Sequence, residues 1–340
     1  MGGDRVAHRL HITNGDTAFP GIRAVQPDGD VVAWRDVLHE GPVPAGLTLS
    51  ELSVVRADFL ARAELGERDA ILRSFSDRDN CLRRSTDFDE VVLWFEWDLY
   101  DQLQLIQILD FFAGRSEGHL DETGTRLTLI SIGDYLGRLP LERFPDLFEG
   151  RKPVTPQMLA LAREAWAAFR SEDPRSVESL VDGESAPLEF LRGALCRHLE
   201  EFPSASNGLS RSERQILEAV SQRPLSFAEV FKRTSAREER IYCGDAVMAG
   251  YIERMSRHEF PLLAHPTGEA IDAPLTAEDS RAFRNSEIAL TSIGREVLRG
   301  ERDWIELGGS DRWLGGVHLD GGSARWRWDS SARRIVEAGP

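Results

Sequence analysis

Three short apolar runs in this chain each end in a cluster of polar residues: N-G-D at 14–16, R-D-V-L-H-E-G-P at 35–42 and F-E-W-D-L-Y-D-Q at 95–102. Carboxylates gathered at one place repel each other until a cation, an arginine or protonation relieves them. A hard divalent ion such as Mg²⁺ or Mn²⁺ takes carboxylate oxygens and keeps open positions for water or phosphate. Asp16, Glu96 and Asp98 are therefore candidate metal ligands. Beside such an ion, His39 and Glu40 would supply a general base. With Glu96 and Asp98 they form the candidate catalytic set for metal-assisted hydrolysis of a phosphorylated substrate. Asn14, Asp16, Arg35, Asp36 and Gln102 are the candidate groups for holding a small polar ligand.

Each residue also has a plainer reading. Asp16 and Asp98 suit helix N-caps, and capping is the first reading of Asp101. Arg35 can pair with Asp36 or Glu96, Glu96 can be half of a buried salt bridge, and Asn14 is a turn former. Glu96 carries the sharper argument, because it follows V-V-L-W-F directly and emerges at a strand tip between Trp94 and Trp97.

These clusters share a cleft only if the elements before them form one sheet. The segments 10–13, 31–35, 91–95 and 127–132 read as buried strands. Helix-period segments at 49–65, 70–82 and 100–112 separate them. Strands alternating with helices predict an α/β domain over 1–150, an open and mostly parallel sheet with flanking helices, whose ligand loops lie at the strands' carboxyl ends. A helical bridge is expected over 151–203, opened by Thr155-Pro156, and the polar segment 203–208 reads as a linker.

Over 209–337 the pattern predicts a winged-helix-like α+β domain. Its short helices fall at 210–220, 226–232 and 237–249, and its tail reads as a three-stranded β-meander. Basic residues cluster there, and Arg237 and Arg240 would stand at the start of the third helix, the position for contacts to DNA. Glu238, Glu239 and Asp245 share the segment, which favours protein contact over DNA.

The matching stretches HITNGD, WRDVLHEGPV and LWFEWDLYDQ, continued by SIGDY and VTPQ, resemble a bacterial family known as domain of unknown function 1835. The resemblance spans roughly the first half of the chain. RWLGGVHL at 312–319 and WRWD at 326–329 resemble the companion domain that often follows. Relatives are expected to carry F-E-H-D-L where this chain has Trp97, which leaves carboxylate-based roles at that spot.

Composition sets the outer bounds. At 340 residues, 41% apolar and with eight tryptophans, the chain has material for more than one core. Its net charge of −16 disfavours nonspecific attraction to nucleic acid or anionic lipid. Three widely spaced cysteines offer no metal knuckle, and the start lacks the apolar core of a signal peptide, so a cytoplasmic setting without membrane contact is expected. Dinucleotide, P-loop, esterase and zinc-peptidase motifs are absent. Two functions stay open: binding and processing of a small ligand at the strand ends, or a ligand-sensing regulator or adaptor whose winged helix contacts DNA or a protein.

Overall fold

The computed structural model describes residues 7–116, 125–183, 187–274, 277–309 and 311–338. Its centre is a five-stranded sheet. Four strands run parallel, β1 (Arg9–Thr13), β2 (Asp30–Ala33), β4 (Glu90–Phe95) and β5 (Arg126–Ser131), in the order β2-β1-β4-β5, and β6 (Lys152–Pro153) closes the edge antiparallel to β5. All six residues of β4 are buried, as expected of a central parallel strand covered on both faces. Its first residue, Glu90, is a charge inside the fold, and Arg9 and Arg151 hold it at 2.7 and 2.8 Å, keeping its carboxyl well below the usual range despite burial.

One face of the sheet is covered by α1 (Phe19–Val25) and α5 (Phe144–Glu149), whose Ile22, Phe144 and Phe148 pack with Val92 and Trp94. The other carries the larger core. There α4 (Leu99–Ser116) buries Leu103, Leu105, Ile106, Ile108, Leu109 and Phe112, apolar around most of its circumference. A helix of that kind belongs in an interior, and α4 lies in one cluster with Leu93 of the sheet and Trp166 of α6 (Pro156–Phe169). A Thr48–Glu51 capping box starts α2 (Leu49–Arg62), which packs against α3 (Arg68–Arg83). The helices α7 (Arg175–Asp182) and α8 (Leu191–Leu199) complete the expected helical stretch.

A separate core supports residues 209–304. It joins α9 (Arg211–Ala219), α10 (Phe227–Ser235), α11 (Asp245–Arg257), α12 (Ala277–Phe283) and α13 (Ser292–Leu298) to a small antiparallel sheet in which β9 (Glu287–Leu290) lies between β7 (Leu225–Ser226) and β8 (Leu263–Ala264). The third helix expected over 237–249 is displaced: α11 starts at Asp245, and 236–244 is a loop. Contacts that draw this loop onto the α/β domain are the reason.

The chain's end departs further from expectation. In place of one meander, β10 (Arg312–Gly315) and β11 (Val317–Leu319) form a hairpin, and β10 pairs in parallel with β3 (Gly41–Pro42) of the α/β domain. The strands β12 (Trp326–Asp329) and β13 (Arg334–Glu337) pair with each other, and Trp328 also bridges to Ser204. Leu314, Val317, Trp326, Trp328 and Ile335 all enter the main core. Gly315 makes the reversal feasible: its φ is +61°, and a Cβ there would lie 2.2 Å from the Phe169 carbonyl oxygen. The segment 203–208 is also held rather than loose. Trp328 N–H donates to the Pro203 carbonyl at 2.8 Å, and Asn207 Nδ2 donates to the Val297 carbonyl at 3.0 Å.

Candidate functional site: a buried carboxylate centre

The sheet brings Glu96 and Asp98 together at the tip of β4, as their spacing predicts, and adds Asp101. Oxygens of the three side chains lie within 4.8 Å of one another. Asp98 directly precedes α4 and accepts the Asp101 N–H at 3.2 Å, so its capping role holds as well. Asp101 lies one turn further on, and its carboxylate folds back over the strand end. It accepts the Glu96 N–H at 2.7 Å and the Asn14 Nδ2 group at 2.7 Å. The Leu136 N–H donates to Glu96 Oε1 at 2.7 Å, and Gln102 Nε2 donates to the Glu96 carbonyl at 2.6 Å. Capping, the first reading of Asp101, is thus corrected: it sits within the helix and joins the centre.

The electrostatics are unusual for this molecule. Asp36, Glu40, Asp79, Glu90 and Glu201 are all buried, and each has an arginine within ion-pair distance. Glu96, Asp98 and Asp101 are 5%, 3% and 0% exposed, and among the described residues no arginine or lysine forms an ion pair with any of them. Burial, reinforced by the Asp98 charge, pushes Glu96 up to about 7. Burial also lifts Asp98 to about 7, and burial with both neighbouring carboxylates raises Asp101 well above the usual carboxylate range.

Two cavities are lined by residues next in sequence to the centre's carboxylates, Gln102 in one and Leu99 in the other. One of about 590 Å³ is lined by Gln102, Ile130, Ile132, Lys152, Thr155 and Met158. The other, of about 240 Å³, is lined by Leu99, Gly193, Cys196, Arg240 and Arg333 among others. The larger falls in the range of small-ligand sites, and Gln102 on its wall donates to the Glu96 carbonyl, though none of the three carboxylates lines it.

The remaining predicted residues lie elsewhere. Asp16 pairs with Arg35 on the surface, their side chains 60% and 48% exposed, and is no part of the centre. Its candidacy as a metal ligand is corrected, because Arg35, with φ of 42°, turns its guanidinium back onto it. Asp36 is locked between Arg56 and Arg78 at 2.9 and 3.5 Å, a structural role that leaves it unavailable to a ligand.

His39 and Glu40 occupy a second buried polar centre, so they cannot serve the carboxylates as a base. There Arg312 donates to Glu40 at 2.6 Å and to Glu201 at 3.2 Å, while the Tyr251 hydroxyl donates to Glu40. Neither His39 ring nitrogen has a hydrogen-bond partner, nor has Nδ1 of His198, and burial pushes both imidazoles down to about 3. Such a histidine stays neutral when folded but takes up a proton when unfolded, so stability present above pH 6.5 is lost as the pH falls toward the folded value. We expect His39→Phe to gain about 2 kcal/mol relative to the parent protein between pH 7 and pH 5, read from urea midpoints. An unchanged difference at the two pH values would show that His39 is not held neutral.

Arg237 pairs with Glu218, and Arg240 is turned into the α/β domain. Arg240 is therefore corrected as a DNA contact. Tyr135, Leu136 and Arg240 are site residues that sequence reading missed. The first two follow β5, where Tyr135 closes the SIGDY stretch, but neither residue type announces a contact with the carboxylate centre. Compared with known protein families and with curated proteins, the chain matches none.

Proposed function

We propose that this chain binds a divalent cation, Mg²⁺ or Mn²⁺, at Glu96, Asp98 and Asp101, and a small polar or phosphorylated ligand beside it, with metal-assisted hydrolysis as the reaction class. One observation carries this reading: among the described residues none of the three buried carboxylates of this centre forms an ion pair, whereas Asp36, Glu40, Asp79, Glu90 and Glu201 each have an arginine. Three oxygens of this spacing suit a hard cation, and the 590 Å³ cavity with Gln102 on its wall offers ligand space. Lys152 on the cavity wall is a cation suited to a phosphate group. The centre lies in the stretch LWFEWDLYDQ that carries the resemblance to domain of unknown function 1835, and membership of that family is part of the proposal.

The helix–strand–helix–helix–strand–helix–strand–helix order of 211–298, with its three strands in one small antiparallel sheet, supports reading this module as a winged helix that carries α12 between its last two strands and α13 after them. With Arg240 turned inward, contact with a protein or with the α/β domain suits it better than DNA. No helix of the described residues is long and apolar enough to cross a membrane.

Calorimetric titration at pH 8 tests the reading. Mn²⁺ and Mg²⁺ are expected to bind with one-to-one stoichiometry, and Asp98→Asn is expected to lose about a hundredfold in affinity. Absence of binding by the unmodified chain, or equal binding by Asp98→Asn, would overturn it.

A further inference from the structure

The loop between α10 and α11 reaches across to the carboxylate centre. The Arg240 guanidinium donates to the carbonyls of Trp97 and Phe190, both at 3.1 Å, and lies 5.2 and 5.5 Å from their ring centroids. It presses on α8 at Gly193, where a Cβ would come within 2.5 Å of its Nη1. One residue on, the Ile241 N–H donates to the Tyr135 hydroxyl at 2.5 Å. Tyr135 adjoins Leu136, whose N–H holds Glu96, and its ring stands edge-on to Trp97. Two of the contacts that hold the loop, to Trp97 and Tyr135, thus come from the segments that build the centre, 96–102 and 135–136, while Phe190 just before α8, Arg197 of α8 and Arg211 of α9 also hold it.

The charge of Arg240 acts on Asp98, yet it makes no ion pair with any carboxylate among the described residues. Its hydrogen bond to the carbonyl of Trp97, the residue between Glu96 and Asp98, sets the guanidinium beside the centre without pairing it to a carboxylate. A cation and a guanidinium that serve the same negative charge compete, because each weakens the field that attracts the other.

We propose that Arg240 is the resident counter-ion of the carboxylate centre, and that a divalent cation entering the centre loosens the 237–241 loop from the α/β domain. This rests on the cation reading above and gives it a consequence: the 209–298 module senses occupancy of the site. Linkage requires the converse, that detaching the loop tightens cation binding by the same factor. Arg240 is a positioning residue here and does not ligate the metal.

The experiment is a Mn²⁺ titration at pH 8, followed by electron paramagnetic resonance of the free ion, on the full chain and on Arg240→Ala, Arg240→Lys and Tyr135→Phe. Arg240→Ala is expected to bind Mn²⁺ about tenfold more tightly, and Arg240→Lys to stay near the parent value. Tyr135→Phe leaves the arginine in place and serves if Arg240→Ala does not fold. It is expected to tighten binding by about two- to threefold. Deuterium uptake at 237–242 is expected to rise when Mn²⁺ saturates the parent protein. Equal or weaker binding by Arg240→Ala and Tyr135→Phe, or unchanged uptake, overturns the proposal and leaves the cation reading standing. No Mn²⁺ binding by any of the four proteins overturns both.

Discussion

Glu96→Gln is expected to stabilise the ligand-free protein at pH 8 by an amount on the order of 3 kcal/mol, and to weaken Mn²⁺ binding roughly a hundredfold or more. The substitution keeps an oxygen for the Leu136 N–H and replaces the charge with an amide able to donate toward Asp98. Burial and the Asp98 charge raise Glu96 to about 7, so the folded chain retains a proton that the unfolded chain releases near pH 4.5. In the parent protein the stability tied to this proton is full below about pH 4.5 and is lost as the pH rises through 7. The gain from Glu96→Gln should accordingly be near zero at pH 4.5 and complete above pH 8. Urea denaturation at both pH values checks it. An equal effect at the two, or a loss at pH 8, would mean that the carboxylates do not strain the fold.

Arg312→Met is expected to act in the opposite sense and to cost about 3–5 kcal/mol. Arg312 joins the tail hairpin to the rest of the molecule: it reaches Glu40 of the α/β domain, Glu201 beyond α8 and the Tyr251 hydroxyl of α11, with its side chain only 4% exposed. Its removal leaves Glu40 buried without a cation, whereas Glu201 keeps Arg197 at 2.7 Å. The double variant Glu40→Gln with Arg312→Met should recover a large part of the loss, because a neutral amide is far cheaper to bury than an unpaired carboxylate. A single-variant loss below about 1 kcal/mol, or no recovery in the double variant, would show that the pair does not hold the tail in place.

The two substitutions separate two kinds of buried charge. At Arg312 opposite charges meet and satisfy each other, so breaking the set costs stability. At Glu96 like charges meet without an ion pair among the described residues, so removing one relieves the fold. Proteins place strain of the second kind where something else is to be bound, and stability is exchanged there for function.

What the sequence made legible follows local pattern. The V-V-L-W-F run announces β4, and the apolar stripe through Leu103, Ile106 and Leu109 announces α4, so the junction carrying Glu96 and Asp98 is legible in the sequence. Asp101 was misassigned because spacing alone does not say whether a first-turn aspartate faces the backbone of its helix or the tip of the preceding strand. Asp16 failed for a related reason. It shares the sheet edge with Glu96, but the Arg35 guanidinium holds it at the surface. His39 and Glu40 stand three and four residues after Asp36, yet the pairing of β3 with β10 carries them to a centre formed with residues near 200, 250 and 312. A pairing across some 270 positions leaves no periodic mark in either segment. The Arg240 contact was hidden likewise, since a basic residue between two short helices carries no sign of the carbonyls that will accept its protons.

Anomalous scattering from crystals grown with Mn²⁺ at pH 8 tests the carboxylate centre most directly. One peak is predicted among Glu96, Asp98 and Asp101, and it should vanish in Glu96→Gln. No peak there at saturating Mn²⁺, or one at Asp16 instead, would contradict it.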